Sequence, residues 1–123
     1  MGKVILIVED DPKNLKLIRD VLRVNSYATL EAFNGKQGVE MAKNEMPDLI
    51  LMDIQTPILD GLEATRILKT DVKTSKIPIV ALTAKALKGD RQKCIQAGAD
   101  DYLSKPVDYD GLIRLAKAWI EKE

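Results

Sequence analysis

No histidine occurs in the 123 residues of this chain, and cysteine occurs once. Without histidine there is no Ser-His or Cys-His triad and no histidine-bearing zinc set. With Cys94 alone no disulfide can form within the chain. Net charge is missing as well: 19 Lys and Arg balance 19 Asp and Glu, so no overall positive field draws the protein to nucleic-acid phosphates or to an anionic membrane. Long apolar stretches are also lacking. The run from Val4 to Val8 falls far short of the roughly 20 residues that cross a bilayer, and no small-residue cleavage site follows it. A cytoplasmic protein is expected. There is no Pro/Gly/Ser-rich linker, no repeat and no low-complexity tract, so residues 1–123 read as one domain. Any chemistry must run on carboxylates, hydroxyls, lysines and borrowed ions.

The chain does have short apolar runs that stop abruptly at polar residues: Lys3 to Val8, Leu49 to Met52 and Ile77 to Leu82. Such runs predict strands buried on both faces, as in a parallel sheet. Tyr27 to Ala32 and Tyr102 to Leu103 are weaker strand candidates placed partly by spacing. Between them lie helical segments with recognisable starts at Asp11 (before Pro12), Asn34 (with Gln37), Asp60 (with Glu63) and Asp108. Pro47 and Gly98 are placed to follow the second and fourth helices. In the first helix Leu15, Leu17, Ile18, Val21, Leu22 and Val24 cover about half the wheel, with Lys16, Arg19, Asp20 and Arg23 opposite. The expectation is an α/β fold of five βα units, with right-handed crossovers and helices on both faces of one sheet.

Ligands of open parallel sheets bind beyond the carboxyl ends of the strands. Those ends carry Glu9-Asp10-Asp11, Asp53, Thr83 and Ser104-Lys105-Pro106. Crowded carboxylates must take up protons or share a cation, and an all-oxygen set suits Mg²⁺, with Mn²⁺ as the alternative. Asp53 is then left to act as a nucleophile toward phosphorus. Lys105 and the Thr83 hydroxyl would neutralise and hydrogen-bond the phosphoryl oxygens.

Plain structural readings stand beside these. Asp11 serves as a helix cap, Cys94 as a small core residue, and Trp119 with Leu112, Leu115 and Ala116 as the inner face of the last helix. Lys69 to Lys76 reads as a solvated loop, and Gly35-Lys36-Gln37-Gly38 lacks the spacing of a phosphate loop.

At the same positions the sequence resembles the response-regulator receiver domains of the CheY-like superfamily. The matching pieces are Leu6 to Asp11 (LIVEDD), Pro47 to Pro57 (PDLILMDIQTP), Asp60 to Glu63 (DGLE), Ile79 to Ala84 (IVALTA) and Ala97 to Pro106 (AGADDYLSKP). The resemblance implies a doubly wound, flavodoxin-like fold with strand order 2-1-3-4-5. It implies Asp53 as the phosphoacceptor and Glu9, Asp10, Asp53 and the backbone carbonyl of Gln55 as Mg²⁺ ligands. It further implies Thr83, Lys105 and the Ala84 amide as phosphoryl contacts, Thr83 and Tyr102 as switch residues, and a cis peptide bond between Lys105 and Pro106. Gln55 and Lys85 occupy positions whose side chains tune phosphoryl lifetime in the family.

A partner must supply the phosphohistidine, because the chain has no histidine; a histidine kinase or a histidine phosphotransfer protein is expected, with a further protein as output target. The resemblance extends to DivK-like single-domain regulators and equally to receivers cut from hybrid kinases acting in phosphorelays. Two rivals share parts of this pattern. A flavodoxin-like cofactor binder needs a hydroxyl- or glycine-rich loop where this chain is acidic. A haloacid-dehalogenase-type phosphatase needs a second Asp two residues after the first, where this chain has Gln55.

Overall fold

The computed structural model describes residues 2–83 and 88–121, with backbone only for 88–90. Among the described residues five strands and five helices alternate: β1 (Val4–Val8), α1 (Pro12–Val24), β2 (Ala28–Ala32), α2 (Gly35–Glu45), β3 (Leu49–Asp53), α3 (Gly61–Thr70), β4 (Ile79–Thr83), α4 (Lys88–Ala97), β5 (Asp101–Ser104) and α5 (Tyr109–Ile120). All neighbouring strands are parallel, in the order β2-β1-β3-β4-β5.

Alternation along each strand divides the core in two. Ile5, Ile7, Leu49, Leu51, Val80 and Leu82 face α1 and α5 through Leu15, Ile18, Leu22, Leu112, Ala116 and Ile120. Leu6, Val8, Ile50, Met52 and Ile79 face α2 and α3 through Val39, Ala42, Ala64 and Leu68. Burial on both faces explains why the three inner strands read as unbroken apolar runs rather than as alternating ones.

The helix starts follow the caps. The side chains of Asp11, Asn34 and Asp60 accept from the backbone N–H groups of Lys13, Gln37 and Glu63, and Gln37 reaches back to the Phe33 N–H at 2.8 Å. Asp108 stands at the cap position of α5, but its side chain makes no cap hydrogen bond. After α4, Gly98 adopts φ 106, a left-handed turn that glycine takes without steric cost.

Three local expectations are corrected. Leu17 and Val24 point to solvent, being 49% and 84% exposed, so the buried stripe of α1 narrows to Leu15, Ile18 and Leu22. Arg19, expected on the solvated face, is partly buried and pairs with Glu31 of β2 at 2.9 Å. The segment after α3 is a loop with Val72, Lys73 and Lys76 exposed, but it is anchored to the core rather than solvated throughout. The Lys69 ammonium donates to the carbonyls of Ser75 and Ile77 and pairs with Asp100 at 2.7 Å, while the fully buried Thr74 hydroxyl donates to the Leu68 carbonyl. A lysine that satisfies two backbone carbonyls and a carboxylate acts as a bracket, which no periodicity in the sequence reveals.

Candidate functional site

Strand order reverses between β1 and β3, and their carboxyl ends therefore lie side by side. Val8 pairs with Met52, Asp53 with Leu82, and Thr83 with Ser104, so this register brings Glu9, Asp10, Asp53, Thr83 and Lys105 to one edge of the sheet. Ligand oxygens of Glu9, Asp10 and Asp53 all lie within 4.8 Å of one another. Glu9 and Asp53 are buried and Asp10 is exposed.

Lys105 sits among them. Its ammonium is 2.7 Å from Glu9 Oε1 and donates to Asp53 Oδ2 at 2.9 Å. The Lys105 N–H donates to the Thr83 carbonyl at 2.7 Å, and the Lys105–Pro106 peptide bond is cis. The second oxygen of Asp53 accepts from the Gln55 N–H at 3.1 Å, and Glu9 Oε2 accepts from the Asp11 N–H at 3.2 Å. Burial pushes the Glu9 carboxyl above its ordinary range; Lys105 opposes the rise and the Asp53 charge adds to it. Burial works against the Lys105 charge, but the contacts with Glu9 and Asp53 outweigh it and hold the ammonium above its ordinary value.

Two features of this cluster suit a hard divalent ion. Three carboxylates gather around a single ammonium, an excess of acidic groups of the kind that a dication offsets. Glu9 Oε1 is buried and pairs with the Lys105 ammonium at 2.7 Å without an aligned hydrogen bond, so it keeps lone-pair capacity for a cation. The donor set fits Mg²⁺ or Mn²⁺ and not a thiol- or imidazole-preferring metal.

The sequence profile of the response regulator receiver domain matches residues 5–117. This chain belongs to that family. The receiver is 42% identical over 120 residues to the polar-differentiation response regulator DivK of Brucella anthropi, with 98% of each chain covered. Its fold superposes with a TM-score of 0.93 on the receiver domain of a sensor histidine kinase from Pseudomonas aeruginosa, at 43% identity and covering 99% of this chain and 100% of that one. That domain was crystallised with a magnesium ion coordinated in its active site cleft. A third structure is the receiver domain of a Saccharomyces cerevisiae response regulator in complex with a histidine phosphotransfer protein; the match has TM-score 0.89 and 31% identity, covering 97% of this chain and 89% of that one. The receiver therefore belongs to two-component signalling, a family that signals by phosphorylation rather than by substrate turnover. These matches favour neither the flavodoxin-like cofactor binder nor the phosphatase reading. Among the described residues no helix is long and apolar enough to cross a membrane.

Of the residues singled out in the sequence, Glu9, Asp10, Asp53 and Lys105 come together directly. Thr83 is buried at the end of β4. Tyr102 is half-buried against Ala81, Cys94 and Ala99, with the Arg91 guanidinium 5.1 Å from its ring centroid. Ala84 and Lys85 lie outside the described residues. Sequence reasoning missed Arg91, whose contact with Tyr102 joins α4 to β5, and the β3–α3 loop contacts of Thr56. The only signal for the latter is a hydroxyl residue just before Pro57, a pattern that turns use often and for many purposes.

Proposed function

We propose that this receiver accepts a phosphoryl group on Asp53 from the phosphohistidine of a histidine kinase or histidine phosphotransfer protein, in a Mg²⁺-dependent reaction. The observation that carries the reading is the Lys105 ammonium held between Asp53 and Glu9 at the edge where strand order reverses. Glu9, Asp10, Asp53 and the Gln55 carbonyl would hold the cation, with Mn²⁺ as an alternative occupant. Bound there, it supplies charge neutralisation to the phosphoryl oxygens.

The rest falls to the chain itself. An Asp53 oxygen forms a bond to phosphorus as the donor's P–N bond breaks, and the electron pair leaves with the donor imidazole. Lys105 moves from pairing the free carboxylate to pairing the phosphoryl group. The Thr83 hydroxyl donates to a phosphoryl oxygen and draws its strand end toward Asp53. The Tyr102 ring, released from Arg91, then follows. This changes the face formed by α4, β5 and α5, which a downstream protein reads. Phosphorylation shifts a pre-existing equilibrium between the two arrangements. No external substrate is turned over, and the phosphoryl group is lost again by hydrolysis.

Incubation with acetyl phosphate and Mg²⁺ tests the assignment. The intact mass should rise by one phosphoryl group, and Asp53→Asn should abolish the rise. Phosphorylation that persists in that variant, or that proceeds in EDTA, rules the assignment out.

A further inference from the structure

The turn between Asp53 and Gly61 is held from both sides. The Gln55 N–H is tied back to Asp53 Oδ1 at 3.1 Å, and the buried Thr56 hydroxyl donates forward to the Leu59 carbonyl at 2.7 Å. Inside that span the Leu59 N–H donates to the Pro57 carbonyl at 2.7 Å, closing a three-residue γ-turn with Ile58 at its centre and φ 70. The Ile58 side chain is 79% exposed, so packing contributes little to hold a β-branched residue in a left-handed conformation that it resists. Groups around Ile58 must hold the turn, and the Thr56–Leu59 bond is the side-chain contact that spans it. The Gln55 carbonyl shares a rigid peptide plane with the Thr56 N–H, so fixing Thr56 also restrains the direction of that carbonyl.

We propose that Thr56 is a positioning residue for the cation site. Its hydroxyl clamps the β3–α3 loop so that the Gln55 carbonyl is presented to a divalent cation held by Glu9, Asp10 and Asp53, while Thr56 itself touches no reacting atom. The proposal rests on the reading of Gln55 as a ligand given above.

Titration of MgCl₂ into the ¹⁵N-labelled full chain without a phosphodonor, followed at the Asp10 and Gln55 amides, tests the clamp separately from activity. Thr56→Val keeps the shape and removes the donor. It should weaken Mg²⁺ binding about tenfold while leaving amide shifts outside residues 53–61 in place. Thr56→Ser retains the donor and should bind like the parent. Adding Ile58→Gly to Thr56→Val should restore binding, because glycine adopts φ > 0 freely and the turn no longer needs the clamp. A parent that binds Mg²⁺ and a Thr56→Val variant that binds it equally well overturn the clamp alone. A parent that shows no Mg²⁺ saturation overturns the reading of the site, and the clamp with it. Should Thr56→Val fail to fold, the double variant decides: parent-like binding supports the clamp, and failure to fold assigns the hydroxyl to the global fold and overturns it.

Discussion

Glu9 shows how a single side chain is placed between stability and function. Its carboxyl is buried against Asp53 with Lys105 as the compensating charge, and it is held above its ordinary range. Its ionised form therefore costs stability at neutral pH, a cost that disappears as pH falls and the group protonates. Glu9→Gln should raise the urea midpoint of the Mg²⁺-free protein and weaken Mg²⁺ binding about tenfold or more, a trade seen by running both titrations on one preparation. Tyr27 gives the opposite test, at high pH. Burial, then the hydrogen bond to Glu121, raise its pKa above the ordinary tyrosine value. Its contribution is fully present below that ordinary value of about 10 and is lost as pH rises through the raised one. A thermal midpoint followed from pH 9 to 12 should fall less steeply in Tyr27→Phe than in the parent.

Among the elements, the helix starts separate a cap that bonds from one that only occupies the position. The Asp60 side chain accepts from the Glu63 N–H at 2.8 Å, whereas Asp108 makes no such bond at the start of α5. Asp60→Ala should therefore lower unfolding free energy by about 1 kcal/mol, and Asp108→Ala by a few tenths, measured by urea denaturation. Composition marks the two residues as equivalent caps; only backbone and rotamer geometry distinguishes them. Gly61 opens α3 so close to β3 that a Cβ there would collide with the Asp53 carbonyl. Gly61→Ala should consequently displace the end of β3 and slow phosphorylation of Asp53 by acetyl phosphate, while a loss of stability alone with an unchanged rate would separate the two effects.

For the whole molecule, the sheet is the rigid frame, and its two-sided core fixes where the carboxylates stand. Leu51 and Leu68 are buried on opposite faces of that frame. Leu→Ala at either should cost about 2–5 kcal/mol, and the two losses should add within about 0.5 kcal/mol in the double variant if the faces are independent. A cation that binds only the folded state stabilises it by mass action. Mg²⁺ at 100 times its dissociation constant should therefore raise unfolding free energy by about 2.7 kcal/mol, and Asp53→Asn should remove most of that gain.

The sequence by itself determined the order of elements, because two-sided burial writes unbroken apolar runs and caps write their own residue types. It also determined which residues end the strands, and so which chemistry was available: Glu9, Asp10, Asp53, Thr83 and Lys105. Boundaries shifted by a residue or two, as with β4 beginning at Ile79 rather than Ile77, because Ile77 is buried whether or not it joins the ladder. Other features depended on groups far apart in sequence meeting in space, where local pattern carries no signal. The three-way bracket of Lys69, the Arg19–Glu31 pair, the Arg91–Tyr102 contact and the left-handed turn at Ile58 closed over by Thr56 are of this kind. Tertiary structure alone decided that one ammonium would stand within 3 Å of two buried carboxylates, because that distance is set by the register of four strands and not by the identity of any one residue.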